Sequence, residues 1–325
     1  MSDNVLFLGI DTSNYTTSVA LCDADGKVLL NLKRLLSVKS GERGLRQSDA
    51  LFAHTKNLPE IMRELKAFLG DKYPKGKIVA VGCSATPRDV EGSYMPCFLS
   101  GVAVAEAISA VLGCEVCKFS HQNGHIMASL YSSQMTELLD SGVPFAAFHV
   151  SGGTTEVLLA ECKENKLDVK LVGGSLDMNA GQAIDRTGVL MGLNFPCGRE
   201  MESLCESKGD IPRSKTKISV KGLECNLSGL ENLAAKLYEQ TGDKAVTSAY
   251  CFDFIADTLL KLTKNLREKY GNIPVIYAGG VMSNKRIVTR LGELEGTHFS
   301  KPEFSSDNAA GISLLCRRKY LQDNI

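Results

Sequence analysis

Residues 5–22 read VLFLGIDTSNYTTSVALC, and residues 145–161 read FAAFHVSGGTTEVLLAE. In each stretch, one apolar run enters a turn of hydroxyl or glycine residues and a second apolar run leaves it. Short apolar runs bounded by turn residues predict buried strands. Glycine turns at strand ends let backbone N–H groups approach a phosphate without an intervening Cβ atom. Both stretches therefore predict a β-hairpin, and the two turns are candidates for contact with a nucleotide.

The predicted order of elements, which is hairpin, loop, helix, strand and helix, also occurs twice along the chain. A helix capped by Ser48 and ending at Gly70 is predicted after the first hairpin, and Pro59 predicts a break or a kink in it. Near the end of the chain, Ser283 is predicted to start one helix and Asp307-Asn308 to open the last. Duplicated hairpins with glycine and hydroxyl turns are typical of the actin, hexokinase and Hsp70 type of ATPase. We therefore predict an α/β protein with an actin-like (ASKHA) two-lobe fold.

The length of the chain, 325 residues, exceeds one typical hydrophobic core and agrees with two lobes. The first predicted lobe comprises residues 1–120 and is completed by a C-terminal helix at residues 308–325. The second comprises residues 121–307, with a helical insertion at about residues 180–270.

The charge of the chain is balanced, with 37 basic and 37 acidic side chains. Strong non-specific binding of nucleic acid by the chain as a whole is therefore not predicted, because it requires clustered Lys and Arg. Two local basic clusters stand out, Arg213–Lys217 together with Lys221, and Arg317–Lys319. Each could contact nucleic-acid phosphates, or could simply be a solvated loop and a solvated helix end.

Neither a signal peptide nor a membrane span is predicted. The N-terminal sequence MSDNVLFLGID is polar before a short apolar run, and the longest apolar stretch, Cys97–Gly113, is interrupted by Glu106. The eleven cysteines are scattered, and the single pair with CxxC spacing, Cys114 and Cys117, is interpreted as two reduced thiols. We expect a cytoplasmic protein.

Two histidines, His121 and His125, are four residues apart in SHQNGHI. Residues at i and i+4 share one face of a helix, so both imidazoles could reach one metal ion, with Asp307 as a third ligand. Gln122 stands where an HExxH metalloprotease has its glutamate, which argues against that class. Histidines that only pack in a helix, and an aspartate that only caps one, remain the alternatives.

Six segments of the chain, in this order, resemble the TsaD family of tRNA threonylcarbamoyladenosine transferases. The resemblance covers nearly the whole chain and implies an actin-like two-lobe ATPase fold. The segments are LGIDTSNYTTSVAL, SHQNGHI, HVSGGTTEV, DMNAGQAIDRTGVLMGLNFPCGREMESL, YAGGVMSNKR and FSSDNAAG.

The resemblance implies a role for individual residues. His121, His125 and Asp307 resemble ligands of one divalent metal ion, iron or zinc. The residues implied in binding the substrate or nucleotide are Val150, Ser151, Gly152, Gly153, Asp185, Gly198 and Asn284. The candidates for the first phosphate loop are Asp11, Thr12, Ser13 and Thr16.

The reaction implied is transfer of a threonylcarbamoyl group from threonylcarbamoyl-AMP to N6 of the adenosine next to the anticodon of tRNA. The nucleotide would be threonylcarbamoyl-AMP, or ATP or AMP. The metal would polarise the carbamoyl carbonyl. The implied partners are tRNA, a TsaB-like paralogue and a small ATPase, with no membrane.

Some positions depart from the family pattern. The first loop has Asn14, Tyr15 and Thr16 where the family has acidic residues, and the second has Thr154 in place of His or Asn. Ser84–Arg88 replaces a glycine-proline-glycine loop. These losses leave the catalytic residue unassigned and support a second hypothesis, a catalytically lapsed paralogue that binds nucleotide and metal as a scaffold or partner subunit.

One departure from the family pattern could add a metal ligand. His149 ends the strand that enters the second turn, at a position where some relatives have a metal-binding tyrosine. We hypothesise that it is a further metal ligand. The alternative is a core histidine whose ring nitrogens bond to the backbone.

Overall fold

Two mixed β-sheets, of five and seven strands, organise the chain in the computed structural model, which describes residues 4–13, 15–37, 45–164, 166–305 and 307–324. Asn14 of the first turn lies outside the described residues. The strands are β1 (Val5–Asp11), β2 (Thr16–Asp23), β3 (Val28–Leu35), β4 (Lys77–Thr86), β5 (Glu115–Ser120), β6 (Phe145–Val150), β7 (Thr155–Lys163), β8 (Lys166–Ser175), β9 (Ser219–Lys221), β10 (Glu224–Asn226), β11 (Val275–Ala278) and β12 (Thr297–Phe299).

Helices connect these strands, and one short 3-10 turn lies at Gly280–Ser283. The helices are α1 (Gln47–Lys72), α2 (Phe98–Leu112), α3 (His121–Ser132), α4 (Leu138–Ser141), α5 (Ala180–Leu190), α6 (Gly198–Lys208), α7 (Gly229–Thr241), α8 (Lys244–Tyr270), α9 (Lys285–Leu291), α10 (Pro302–Ser305) and α11 (Ala310–Asp323). No helix in the described part of the chain is both long and apolar enough to span a bilayer.

The chain divides into two units, each with its own sheet. The first unit comprises the residues up to Thr136, Lys163–Val169, and the residues from Phe304 onwards. The second comprises Glu137–Cys162 and Lys170–Glu303. This division differs from the predicted lobes, because helix α3 groups with the first unit rather than beginning the second.

The first unit has the strand order β3-β2-β1-β4-β5. The predicted hairpin is present as the antiparallel pair β1–β2, and β4 and β5 continue the sheet in parallel. Helix α11 packs on the sheet so closely that a Cβ atom on Gly9 would lie 2.5 Å from the Ala309 carbonyl oxygen. The last helix is therefore part of the core of the first unit.

Helix α1 corrects one prediction. It is continuous from Gln47 to Lys72 through Pro59, and Arg46 rather than Ser48 occupies the N-cap, with no side-chain cap. Pro59 is exposed, while a buried stripe on the other side of the helix includes Leu58 and Ile61. Packing of this stripe stabilises the helix on both sides of the proline and offsets the lost hydrogen bond.

The second unit has the strand order β12-β11-β6-β7-β8-β10-β9. Its hairpin, the antiparallel pair β6–β7, lies beside β11, which runs parallel to β6. The segment predicted as a helical insertion contains the short hairpin β9–β10, whose strand β10 pairs in parallel with β8. Helices α5 to α8 supply most of the rest of that segment.

Candidate functional site

The histidine pair begins helix α3. Ser120 caps this helix, since its hydroxyl accepts a hydrogen bond from the N–H of Asn123 at 3.2 Å. Because the helix starts at His121, the rings of His121 and His125 lie on the same face, with their centroids 4.3 Å apart. The local sequence thus determines the spacing of the two imidazoles.

Asp307 completes the group from the segment before α11. Its Oδ1 atom lies 3.1 Å from Nε2 of His125 and 3.6 Å from Nε2 of His121. The last helix begins only at Ala310, whose N–H is bonded by the side chain of Asn308. The Asp307 carboxylate is therefore directed at the histidines and is not the cap of the helix.

A close approach of two helices brings these groups together. A Cβ atom on Gly311 in α11 would lie 1.8 Å from the carbonyl oxygen of Gly124 in α3, so no other residue fits there without a shift of backbone. Gly124 is next to His125, and Gly311 is four residues after Asp307. The contact between the two backbones therefore limits the distance between the histidines of α3 and the segment that bears Asp307, just before α11.

Asp11, at the end of β1, is buried behind His121. Its Oδ2 atom lies 2.7 Å from Nδ1 of His121, and its Oδ1 atom accepts the N–H of Ser13 at 2.7 Å. A carboxylate on one ring nitrogen fixes the tautomer and directs the other nitrogen at a metal. We predicted Asp11 as part of a phosphate loop, and that role stays a prediction; in the structure both oxygens of its side chain are bonded within the protein, to His121 and Ser13.

The charges in this group stabilise one another. Burial opposes ionisation of His121, but Asp11 and Asp307 outweigh it and raise its pKa to about 10. Burial also acts to raise the pKa of Asp307, yet the hydrogen bonds and charges of the two histidines hold it well below the usual value. The His121 ring is therefore protonated at neutral pH, and a metal ion that bound to the ring would displace a proton.

The donor set fits a metal ion. The ligand atoms of His121, His125 and Asp307 all lie within 4.8 Å of one another, and all three residues are half-buried. Two imidazoles and one carboxylate are borderline-to-hard ligands that suit first-row metals such as iron and zinc. Such ions bind at about 2.0–2.2 Å, so a small inward movement would close the site.

The rest of the first turn is held by the protein itself. Thr12 donates from its hydroxyl to the carbonyl of Cys97 at 3.0 Å and accepts the N–H of Gly101 at 3.1 Å, both at the start of α2. The N–H of Thr16 is bonded to the carbonyl of Ser13 at 3.2 Å. Contact of Thr12, Ser13 and Thr16 with phosphate stays a prediction.

The turn of the second unit has a different construction. The Ser151 N–H donates to the Thr154 carbonyl at 2.7 Å, and its hydroxyl accepts the N–H of Thr154 at 3.1 Å and of Gly153 at 3.3 Å. Gly152 and Gly153 are exposed and have open space where a Cβ would lie, whereas Val150 is buried in β6. The turn is thus closed by one serine and open along its glycines.

Asp185 in α5 connects to the residue before Gly198. Its carboxylate accepts the N–H of Cys197 at 2.8 Å, and Gly198 is the first residue of α6. Burial raises the pKa of Asp185, and this hydrogen bond opposes the rise. Asp185 also lines a cavity of about 460 Å³ in the second unit. Its position is compatible with contact to a ligand hydroxyl, which stays a prediction.

Asn284 caps α9, where its side chain accepts the N–H of Ile287 at 3.1 Å. The next N–H, of Lys285, donates to the Glu202 carboxylate at 2.8 Å. Glu202 was not among the residues predicted from the sequence; it lies four residues after Gly198 in α6 and so shares its helix face. The structure therefore connects Gly198, Glu202 and Asn284 in one part of the second unit.

His149 lies in β6, with Glu156 of β7 on one side and Ala278 of β11 on the other. It belongs to the second unit, whereas His121, His125 and Asp307 belong to the first. Its role as a further metal ligand stays a prediction.

The structure combines an actin-like fold with a His-His-Asp group that could hold a metal ion. The fold is similar to that of full-length HypF in its phosphate- and nucleotide-bound form, with a TM-score of 0.59, 13% identity, and coverage of 98% of this chain and 56% of HypF. It is also similar to component A of (R)-2-hydroxyglutaryl-CoA dehydratase from Acidaminococcus fermentans, with a TM-score of 0.52, 13% identity, and coverage of 98% and 99%. The predicted fold class is confirmed.

The family is shown by sequence. The sequence profile of TsaD, tRNA N6-adenosine threonylcarbamoyltransferase, matches residues 37–314. The enzyme of that name from Streptococcus pneumoniae serotype 2 strain D39 is 30% identical, over 98% of this chain and 93% of the relative. The one from strain JJA is 31% identical over the same shares. The chain belongs to the TsaD family.

Proposed function

We propose that this chain is a tRNA N6-adenosine threonylcarbamoyltransferase, which transfers the threonylcarbamoyl group of threonylcarbamoyl-AMP to N6 of the adenosine next to the anticodon. The observation that carries the proposal is the complete group of His121, His125 and Asp307, with Asp11 behind it, in a member of the TsaD family. A protein that only served as a scaffold would not need a buried carboxylate to orient one of its metal ligands.

The proposed metal is one divalent ion, iron or zinc. When bound, it would supply Lewis-acid polarisation of the carbamoyl carbonyl. Two features of the chain would support this role. Asp11 bonds to the His121 ring, and the contact of Gly124 with Gly311 holds α3, which bears both histidines, close to the start of α11, which follows Asp307. Metal analysis of the purified protein would distinguish iron from zinc.

The proposed nucleotide contacts are in the second unit. The N–H groups and open glycines of the Ser151–Gly153 turn would lie against the phosphates. Asp185 and Gly198 would hold the ribose or carbamoyl end, and Asn284 the nucleotide side. These residues would bind and orient the substrate, so placement and charge stabilisation would supply most of the rate.

The proposed partners are tRNA as the acceptor, a TsaB-like paralogue and a small ATPase. Family membership supports action on tRNA. The two proteins and a cytoplasmic location are expectations from the resemblance to the family.

The second candidate, a lapsed paralogue, rests on the first turn. Tyr15 and Thr16 replace acids there, and the one acidic side chain in the described part of the turn, Asp11, is engaged with His121. The family profile and the names of the relatives favour the transferase over this candidate.

The test is complementation with a chemical readout. Cells depleted of their own TsaD would express this chain with its matching partners, and threonylcarbamoyladenosine would be measured in tRNA digests by mass spectrometry. We expect the modification to return with the wild-type chain and not with His125→Ala. Folded, metal-loaded wild-type protein that restores none of the modification would contradict the transferase and support the paralogue.

A further inference from the structure

A row of basic side chains lies on the second unit, between α6 and β10. Residues 213–221 alternate strictly between exposed and half-buried positions. The exposed positions are Arg213, Lys215, Lys217, Ser219 and Lys221, and no acidic residue occurs in the segment. Four positive charges therefore project from one side of a short stretch of a chain whose net charge is zero.

The segment is held in this orientation from its other side. The Ser214 N–H donates to Oδ2 of Asp253 at 2.9 Å, and the Thr216 hydroxyl donates to Oδ2 of Asp257 at 2.7 Å. Both aspartates are in α8. Because the alternate residues are bonded to a buried helix, the basic residues between them point away from it.

Arg286 strengthens this attachment. Its guanidinium donates to both carboxylate oxygens of Asp253, at 2.7 and 2.8 Å. It also donates to the carbonyls of Ile211, at 3.1 Å, and Pro212, at 3.2 Å, immediately before the row. The planar guanidinium thus joins α9, α8 and the start of the segment, and the row is more rigid than an ordinary loop.

The acidic residues next to the row neutralise only part of its positive charge, so the rest can bind an anion. Glu293 is 3.4 Å from Arg213 in an exposed pair, and Glu224 is opposite Lys221 in the β9–β10 pairing. Lys215 and Lys217 form no ion pair among the described residues. Exposed pairs are weak, so Arg213 could exchange Glu293 for another anion at little cost.

We propose that Arg213, Lys215, Lys217 and Lys221 bind the sugar–phosphate backbone of the tRNA. In an extended chain, alternate side chains repeat about every 7 Å, which suits a polymer with one negative charge per repeating unit. An acidic protein surface has no such repeat. Contacts of this kind position an RNA without reading its bases. The inference rests on the proposed function, which supplies tRNA as the partner.

The test compares two variants of the full-length chain that lose the same charge. The row variant is Arg213→Gln/Lys215→Gln/Lys217→Gln, and the control is Lys236→Gln/Lys261→Gln/Lys264→Gln, which changes exposed lysines of α7 and α8 in the same unit. The Kd for an unmodified tRNA transcript would be measured by fluorescence anisotropy over a series of KCl concentrations. We expect the row variant to bind roughly tenfold more weakly or worse, with a salt slope smaller by about 2, and the control to bind nearly as the wild type. Equal effects in the two variants, or none in the row variant, would overturn the proposal.

A third variant, Thr216→Val, keeps every charge but removes a hydrogen bond that holds the row, and we expect an intermediate loss of tRNA affinity.

The proposed function is tested separately, by the transfer reaction of the wild-type chain. If the wild-type chain transfers no threonylcarbamoyl group but the row variant still loses tRNA affinity, the proposed tRNA-binding surface is supported and the proposed transferase activity is contradicted. If the wild type transfers and the row variant binds as the wild type does, the surface alone fails.

Discussion

The turns of the two hairpins are built in opposite ways. The side chains of Asp11 and Thr12 in the first turn are buried and bonded to residues far along the chain, in α2 and α3. In the second turn, the side chain of Ser151 makes its bonds within the turn itself, although the Ser151 carbonyl accepts the N–H of Gly181 in α5, and Gly152 and Gly153 are exposed. A change in the side chain of Asp11 should therefore reach His121 of the candidate metal site, whereas a change in the side chain of Ser151 should remain local to its turn. Both turns have the same sequence pattern of strand, turn and strand, and the exposed glycines of the second leave open space beside its backbone.

The largest effect is expected from Gly311→Ala. The new Cβ would lie 1.8 Å from the Gly124 carbonyl oxygen, which is backbone and cannot rotate away, so α3 and α11 must separate. Overpacking of this kind costs about 1–3 kcal/mol and occasionally more, and we expect the upper end of that range. Urea unfolding would measure the free energy, and metal affinity should fall as well, since α3 bears His125 and Asp307 lies three residues before α11.

The matched control for this change is Gly152→Ala in the second turn. No atom lies within 4 Å of a Cβ built there, and its φ angle is not in the left-handed region. We expect a change within about 0.5 kcal/mol and an unaltered metal affinity. Equal destabilisation by the two alanines would mean that the close helix contact does not set the geometry of the metal centre.

The pH dependence of stability should show how deeply the structure around the first turn is buried. His54 of α1 is fully buried, with Nδ1 2.8 Å from the hydroxyl of Thr17. Burial lowers its pKa from 6.5 to about 4, although the charge of Asp11 opposes this. Between these values the unfolded chain binds a proton that the native state does not, so stability falls as the pH decreases from 6.5 towards 4. The loss reaches up to about 3 kcal/mol.

Comparison with His54→Asn isolates this contribution. Urea unfolding of both proteins at several pH values between 7 and 4.5 gives two slopes of free energy against pH. We expect the wild-type slope to be steeper than that of the variant, by an amount that corresponds to the uptake of up to one more proton on unfolding. Parallel slopes would mean that His54 takes up its proton in the folded protein as readily as in the unfolded chain.

The parts of the fold that the sequence predicted are those governed by local pattern. The apolar runs and turn residues of both hairpins gave the strands, and the spacing of His121 and His125 gave a shared helix face. The predicted break at Pro59 is wrong, because the buried stripe of α1 stabilises the helix across the proline, and the alternative of a kink stays a prediction. The strands β9 and β10 were missed since runs of three residues carry little periodic signal.

The parts of the site that could not be predicted depend on distant contacts. The bond of Asp11 to His121 joins residues 110 positions apart, and no local pattern distinguishes an orienting carboxylate from a residue of a phosphate loop. The bond of Glu202 to Lys285 joins residues 83 positions apart, although the spacing of Glu202 from Gly198 gave a signal. Two side chains on one turn of helix can thus be predicted from their spacing in the sequence, whereas distant groups that bond to them cannot.

A last pair of variants, one in each turn, separates the two turns most directly. Asp11→Asn keeps the shape of the side chain but removes its charge, so the amide can still bond to His121 without holding its Nε2 lone pair directed at the metal as firmly. Loss of such a supporting carboxylate typically lowers metal affinity 10- to 100-fold, and we expect a value in that range by competition with a chelator. Ser151→Ala, the counterpart in the second turn, removes the hydroxyl that accepts the N–H groups of Gly153 and Thr154. It should weaken nucleotide binding and leave metal affinity unchanged. If Asp11→Asn left metal affinity intact, or if Ser151→Ala reduced it as much, the two turns would not have the separate roles that their hydrogen bonds indicate.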